Sequence, residues 1–196
     1  GTPFPDSPDE GGISVGLELT PLASPFFEVG PPSPEEVEIA RVVDRGVRES
    51  HCIDLASLCL IPGEKMLTMF IDIYAITHDG NMFDAASFAA LAALNSTRLP
   101  KVEDGVIVLG EYDGKLKMAC QPVLSTFAKV GGKVMVDPDM GEEKAMHARF
   151  SFGSKEDGTL TAFQKGGSGG FTLPELEQAI ETGLKLSKDV RKKLKP

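Results

Sequence analysis

The chain has 196 residues, 41% of them hydrophobic, enough for one sizeable core or for two small lobes sharing one. No apolar run reaches the roughly 18 residues a membrane span needs, and the start, GTPFPDSPDEGG, has neither the basic end nor the apolar stretch of a secretory signal. A net charge of -9 argues against a nonspecific nucleic-acid binder, and an odd count of cysteines without CxxC spacing (Cys52, Cys59, Cys120) argues against a disulfide framework or a zinc site and fits a reducing cytoplasm.

Ile13, Val15, Leu17 and Leu19 alternate with Ser14, Gly16 and Glu18, which predicts a strand with one buried face. The Pro-rich stretch from Pro21 to Pro34 can be neither helix nor central strand. Ser33-Pro34-Glu35-Glu36 then predicts a helix start with Ser33 as cap and Glu36 closing a capping box. That helix should run to about Glu49, burying Val37, Ala40, Val43 and Val47 and projecting Arg41, Arg45 and Arg48 from one side.

Cys59 to Ile61 reads as a short strand before the turn Pro62-Gly63-Glu64. Residues 66–77 are apolar on both faces, with Phe70, Tyr74 and Ile76 opposing Leu67, Met69, Ile71, Ile73 and Ala75. The expectation is a central strand covered on both sides, in which Asp72 would need a buried partner. After a turn at 78–81, Asp84 is the expected cap of a buried, alanine-rich helix. Short strands are expected around 106–109, 116–128, 133–136, 147–152 and 159–164, then a flexible GGSGG loop at 166–170. Thr172-Leu173-Pro174-Glu175 opens a last helix with Leu176, Ile180 and Leu184 inward. The mixed order of elements predicts a layered α+β domain of mixed β-sheets packed with α-helices.

Few residues suggest chemistry. His51, His78 and His147 are scattered, so no metal site and no cofactor is expected. Glu142-Glu143 reads as a solvated pair, and the GGSGG loop lacks the Lys-Ser/Thr of a phosphate-binding loop. Residues 185–196 hold six cations, Lys195 among them, against Asp189 alone, and read as a solvated helix end. The arginine row has two readings. Pairing within the helix (Glu38 with Arg41, Asp44 with Arg48, Arg45 with Glu49) is one; a row of guanidinium forks for phosphate oxygens is the other.

Longer segments carry a resemblance. TPFPDSPDEG at 2–11, PLASPFFEVGPPSPEEVEIARVVDRGVRES, DIYAITHDGNMFDAASFAALAALNSTRLP and VMVDPDMGEEKAMHARFSF resemble the non-catalytic RNase-PH-like subunits of the archaeal exosome over essentially the whole chain. The resemblance implies a single RNase-PH-like domain over 1–196, lacking a helix and several strands with which family members begin. It implies a hexameric ring alternating with an active RNase-PH-like paralogue, which degrades RNA from its 3′ end with inorganic phosphate. RNA-binding cap subunits would sit on one face, the substrate would be single-stranded RNA, and the setting would be the cytoplasm with no membrane.

The same resemblance implies silence. Active members carry an arginine pair where this chain has Pro34 and Glu35, Gly-Thr-Arg where it has Asn81-Met82-Phe83, and Glu-Asp with a distal Asp where it has Glu142-Glu143 and Arg149. Phosphorolysis needs cations and donors on phosphate and a carboxylate for proton or metal. Glu142 and Glu143 are therefore expected to be a relic or a surface feature. Arg41 and Arg45 fall where the family places RNA-contacting arginines, about 5.4 Å or one turn apart. The alternatives are an active phosphate-dependent exoribonuclease, or a scaffold indifferent to RNA.

Overall fold

The computed structural model describes residues 1–194, so Lys195 lies outside the described residues. In chain order the elements are β1 (Gly12–Leu19), α1 (Pro34–Glu49), a 3-10 turn (Leu55–Leu58), β2 (Cys59–Ile61), β3 (Lys65–Met66), β4 (Thr68–Ala75) and α2 (Met82–Ser96). There follow β5 (Arg98–Glu103), β6 (Val106–Lys115), β7 (Val123–Val130), β8 (Lys133–Val136), α3 (Met140–Ala145), β9 (Ala148–Ser154), β10 (Leu160–Gly166) and α4 (Leu173–Lys193).

They stack as layers. β1 and β4 pair in parallel, Gly12 opposite Thr68 and Leu19 opposite Ala75. Their inward rows meet α1 and α2 in the main apolar core, which includes Ile13, Leu17, Ile39, Val42, Val43, Ile71 and Leu94. Below the helices lies an antiparallel sheet in the order β10-β9-β7-β8. Strand alternation divides its residues: Leu124, Thr126, Arg149, Ser151 and Gln164 meet the α1–α2 layer. Phe127, Phe150 and Phe152 meet α4 through Ala179, Leu176 and Ile180. The α+β layering follows the sequence expectation, because each helix has a stripe and each strand a row to bury.

Local chemistry explains the boundaries. Ser33 accepts from the Glu36 N–H at 3.2 Å while Glu36 Oε2 accepts from the Ser33 N–H at 2.5 Å, closing the predicted box. The Glu36 carboxylate also accepts from the Leu19 N–H at 2.7 Å, fastening the start of α1 to the end of β1. Burial alone would raise its pKa, but these N–H donors hold it below the usual value.

Several expectations are corrected. In α1, Val37 is exposed, and Ile39 and Val42 fill the stripe with Ala40, Val43 and Val47. β4 is not covered on both faces: Phe70, Tyr74 and Ile76 are 69%, 61% and 65% exposed, and Asp72 is exposed and needs no buried partner. Among the described residues β4 pairs with β1 alone, and its second apolar face is left open. The cap of α2 is Asn81 rather than Asp84, in the left-handed conformation that asparagine tolerates (φ 45°). The helix is buried along one side only, since Ala85, Ala89, Ala92 and Ala93 are exposed. The strand expected at 106–109 extends to Lys115 against the unforeseen β5, and β7 begins only at Val123, after Pro122. Residues 140–145 form the short helix α3.

The glycine loop is held rather than loose. Gly169 N–H donates to the His147 carbonyl at 2.7 Å, and a Cβ on Gly167 (φ 78°) would fall 2.6 Å from that same oxygen. The basic helix end is not simply solvated either. Lys185 pairs with Glu181 and Lys192 with Asp189 at the surface, but Arg191 is buried. Arg191 donates to the Gln121 carbonyl at 2.8 Å, to Ser187 Oγ at 2.9 Å and to both oxygens of Ser154, tying α4 to β9 and to the approach to β7. Burial lowers its pKa without discharging it. Arg191→Met should therefore cost about 2–3 kcal/mol of unfolding free energy, the usual range for hydrogen bonds to a charged group. Lys188→Met, on the exposed side, should change stability by less than about 0.5 kcal/mol. Urea unfolding of the two variants checks this.

Candidate nucleic-acid interface

The three arginines of α1 meet different fates. Arg48 donates to Asp44 at 2.9 and 3.2 Å and to the Ile13 carbonyl at 3.1 Å. Asp44 keeps it charged and neutralised, as internal pairing predicts. Arg45 donates to Gln164 Oε1 at 2.6 Å and to the Phe163 carbonyl at 3.4 Å. Both partners are uncharged, so Arg45 is oriented but its charge is not cancelled. Arg41 is exposed, and among the described residues no hydrogen bond or ion pair holds it. The expected Glu38–Arg41 and Arg45–Glu49 pairs do not form.

Glu38 turns instead toward β9 and β10. Its Oε1 accepts from Arg149 Nη2 at 2.6 Å and from Gln164 Nε2 at 2.7 Å. The Arg149 guanidinium carbon lies 3.9 Å from the centre of the Phe83 ring. On the strand beside it, a Cβ on Gly166 would fall 2.8 Å from Nη2, so a side chain there would push the guanidinium aside. Arg149 is 9% exposed, and among the described residues nothing accepts from its Nε. A continuous chain of contacts thus runs Phe83–Arg149–Glu38–Gln164–Arg45, joining α2, β9, α1 and β10.

The positions singled out in the sequence converge here. Met82 and Phe83 are buried at the start of α2. Glu143 Oε1 accepts from the Asn81 N–H at 3.0 Å. Burial pushes the Glu143 pKa up, Glu35 adds to the rise, and the Asn81 N–H, His78 and Arg149 oppose it. Asn81 Nδ2 bridges Asp84 at 3.0 Å and Asp137 at 2.6 Å. Asp84 accepts from the Thr126 N–H and hydroxyl at 3.0 and 2.7 Å, and deep burial raises its pKa. Glu142 caps α3 by accepting from the Asp139 N–H at 2.9 Å. Neither carboxylate of the pair is idle: Glu142 ends a helix and half-buried Glu143 anchors the turn before α2, which corrects the expectation of a relic or solvated pair.

Glu35 and Arg149 both lie near the Glu143 carboxylate, and that arginine is already paired to Glu38 and stacked on Phe83. Among the described residues no group of three or more His, Cys, Asp or Glu is placed to hold a metal ion, and no helix is long and apolar enough to cross a membrane. Sequence reasoning missed Glu38, Gln164 and Phe83 as parts of this unit. Glu38 stands three and seven residues before Arg41 and Arg45, and that spacing suggests pairing within the helix. The inward row of β10, Ala162 and Gln164, does carry the hint of a polar group aimed at α1.

The layered fold that holds this arginine row is that of an RNase-PH-type protein. A model of the 3′ exoribonuclease family, domain 1, matches residues 1–100, and one of its domain 2 matches residues 120–185; the chain belongs to this family. It is 45% identical over 197 residues to the exosome complex component Rrp42 of Thermococcus gammatolerans, covering 98% of this chain and 72% of that one. Against the Rrp42 of Methanosarcina acetivorans it is 47% identical over 191 residues, covering 97% and 70%. Among solved structures it superposes with a TM-score of 0.92 and 39% identity on a chain of the Archaeoglobus fulgidus exosome with RNA bound to the active site, covering 100% of this chain and 75% of that one. A chain of an archaeal exosome core gives 0.85 and 34%, with 100% and 73% covered.

The raised pKa of Glu143 has a consequence for stability. Above pH 4.5 the unfolded chain gives up this proton before the folded one does, so native stability falls as pH rises until the folded carboxyl has ionised as well. Glu143→Gln keeps an acceptor for the Asn81 N–H and removes the titration. Urea midpoints measured from pH 4 to 8 should show a smaller decline for the variant over that window.

Proposed function

We propose that this chain is a non-catalytic, RNA-binding subunit of a hexameric 3′-to-5′ exosome ring, working beside an active RNase-PH-like paralogue. The observation that carries the reading is the contrast between Arg149 and Arg45. Arg149 is consumed by Glu38 and Phe83, whereas Arg45 is held by neutral acceptors with its charge unspent. A guanidinium already paired to a carboxylate is badly placed to stabilise phosphate charge, and catalysis of this kind rests on such stabilisation. A fixed, uncancelled guanidinium beside an exposed one can position single-stranded RNA through its phosphates.

The relatives named as exosome components and the superposition on exosome chains support the ring setting. In that setting three copies alternate with three of the paralogue, RNA-binding cap subunits cover one face, residues 1–196 act as one RNase-PH-like unit, and the assembly works in the cytoplasm. The bonds of Arg45 to Gln164 and Phe163 favour one competing reading, a scaffold whose arginines serve only its own structure.

Two outcomes follow. Purified without the paralogue, the chain should release no nucleoside diphosphates from RNA in phosphate buffer; robust phosphate-dependent release would mean that the pocket is active after all. In the assembled ring, replacing Arg41 and Arg45 with alanine should weaken RNA binding and flatten the slope of log affinity against log salt by roughly 1.4, about 0.7 for each single-strand phosphate deprived of its cation. The scaffold reading predicts instead an unchanged affinity and slope with a small loss of helix stability.

A further inference from the structure

Arg45 could have been cancelled by a carboxylate close at hand. Glu38 lies on the same side of α1 and is bridged to Arg45 through a single amide, Gln164, whose Oε1 accepts from Arg45 at 2.6 Å and whose Nε2 donates to Glu38 at 2.7 Å. What keeps Glu38 away is Arg149, which donates to it at 2.6 Å from a slot between Phe83 and Gly166. The side-chain exposures of this pair, 11% for Arg149 and 33% for Glu38, mean that little solvent screens it.

We propose that Gln164 and the Glu38–Arg149 pair are positioning residues for Arg45: the amide fixes the guanidinium, and Arg149 occupies the carboxylate that already reaches Arg45 through that amide. The arginine at position 149 thus has a use, since it supports RNA binding one layer away. Two of the five N–H groups of Arg45 face neutral oxygens in this arrangement, and the remainder stay available to a phosphate. Pre-orienting a long side chain lowers the entropy lost when RNA arrives.

The proposal rests on Arg45 contacting RNA, and the test separates the two claims. RNA affinity and salt slope are measured on the assembled ring, with assembly of every variant verified by native mass spectrometry. Gln164→Leu should weaken a single-stranded oligoribonucleotide about fivefold, the worth of one oriented hydrogen-bonding group. It should leave the salt slope unchanged, because the charge of Arg45 remains, and it should have no effect once Arg45 is alanine. Arg149→Met should free Glu38 to take Arg45, weakening RNA and flattening the slope by about 0.7. Adding Glu38→Gln to Arg149→Met should restore both, which a purely structural role for Arg149 would not do.

If Arg45→Ala alone leaves RNA affinity unchanged, the RNA-binding reading and the proposal both fall. If Arg45→Ala weakens RNA but Gln164→Leu does not, or weakens it equally without Arg45, the proposal alone is overturned. It is also overturned if the Glu38→Gln/Arg149→Met double variant binds RNA as poorly as Arg149→Met.

Discussion

The Arg149–Glu38 pair is the contact on which the layering of this molecule turns. It joins the buried face of β9 to α1 under the ring of Phe83 from α2, so three elements distant in sequence meet at one guanidinium. Removing Glu38 would leave the buried Arg149 guanidinium unpaired, a change that typically costs about 3–5 kcal/mol. The pair therefore keeps the charge of Arg149 inside the fold. A phosphate could take this guanidinium only by displacing Glu38.

That commitment divides the charges of the site into two classes. Asp44 with Arg48 and Glu38 with Arg149 are neutral pairs and contribute cohesion. Arg41 and Arg45 are not neutralised and give α1 a local positive edge on a chain whose net charge is -9. Net charge therefore says little about local charge here, because two uncancelled arginines share one face of one helix. The carboxylates Glu142, Glu143 and Asp84 serve the architecture, each as an acceptor for a helix cap, a turn N–H or a buried threonine.

Much of this is legible in the sequence wherever the deciding physics is local. The capping boxes at Ser33 and Thr172, the strand at Ile13–Leu19 and the Asp44–Arg48 pair depend on neighbours within a few residues. What escapes depends on distant partners. Glu38 is the acceptor that spacing would assign to Arg41, yet its partner lies 111 positions away. Arg191 looks like a solvated tail cation until the carbonyls of Gln121 and Ser154 are brought against it. β4 reads as a central strand because both its faces are apolar, and no local pattern says whether the neighbour belongs to this chain. The resemblance to exosome subunits points to positions 34–35, 81–83 and 142–149; the fold adds that Arg149 is paired with Glu38 under Phe83.

We propose that RNA reaches the Arg41–Arg45 turn of α1 and not the paired Arg149 under Phe83. Photocrosslinking of a single-stranded RNA to the assembled ring, followed by mass spectrometry of the peptides, tests this directly. The account predicts that crosslinks on this chain concentrate in α1 around Arg41 and Arg45 and are missing from the segments containing Asn81–Phe83 and Arg149. Crosslinks centred on those two segments, with α1 unlabelled, would contradict it.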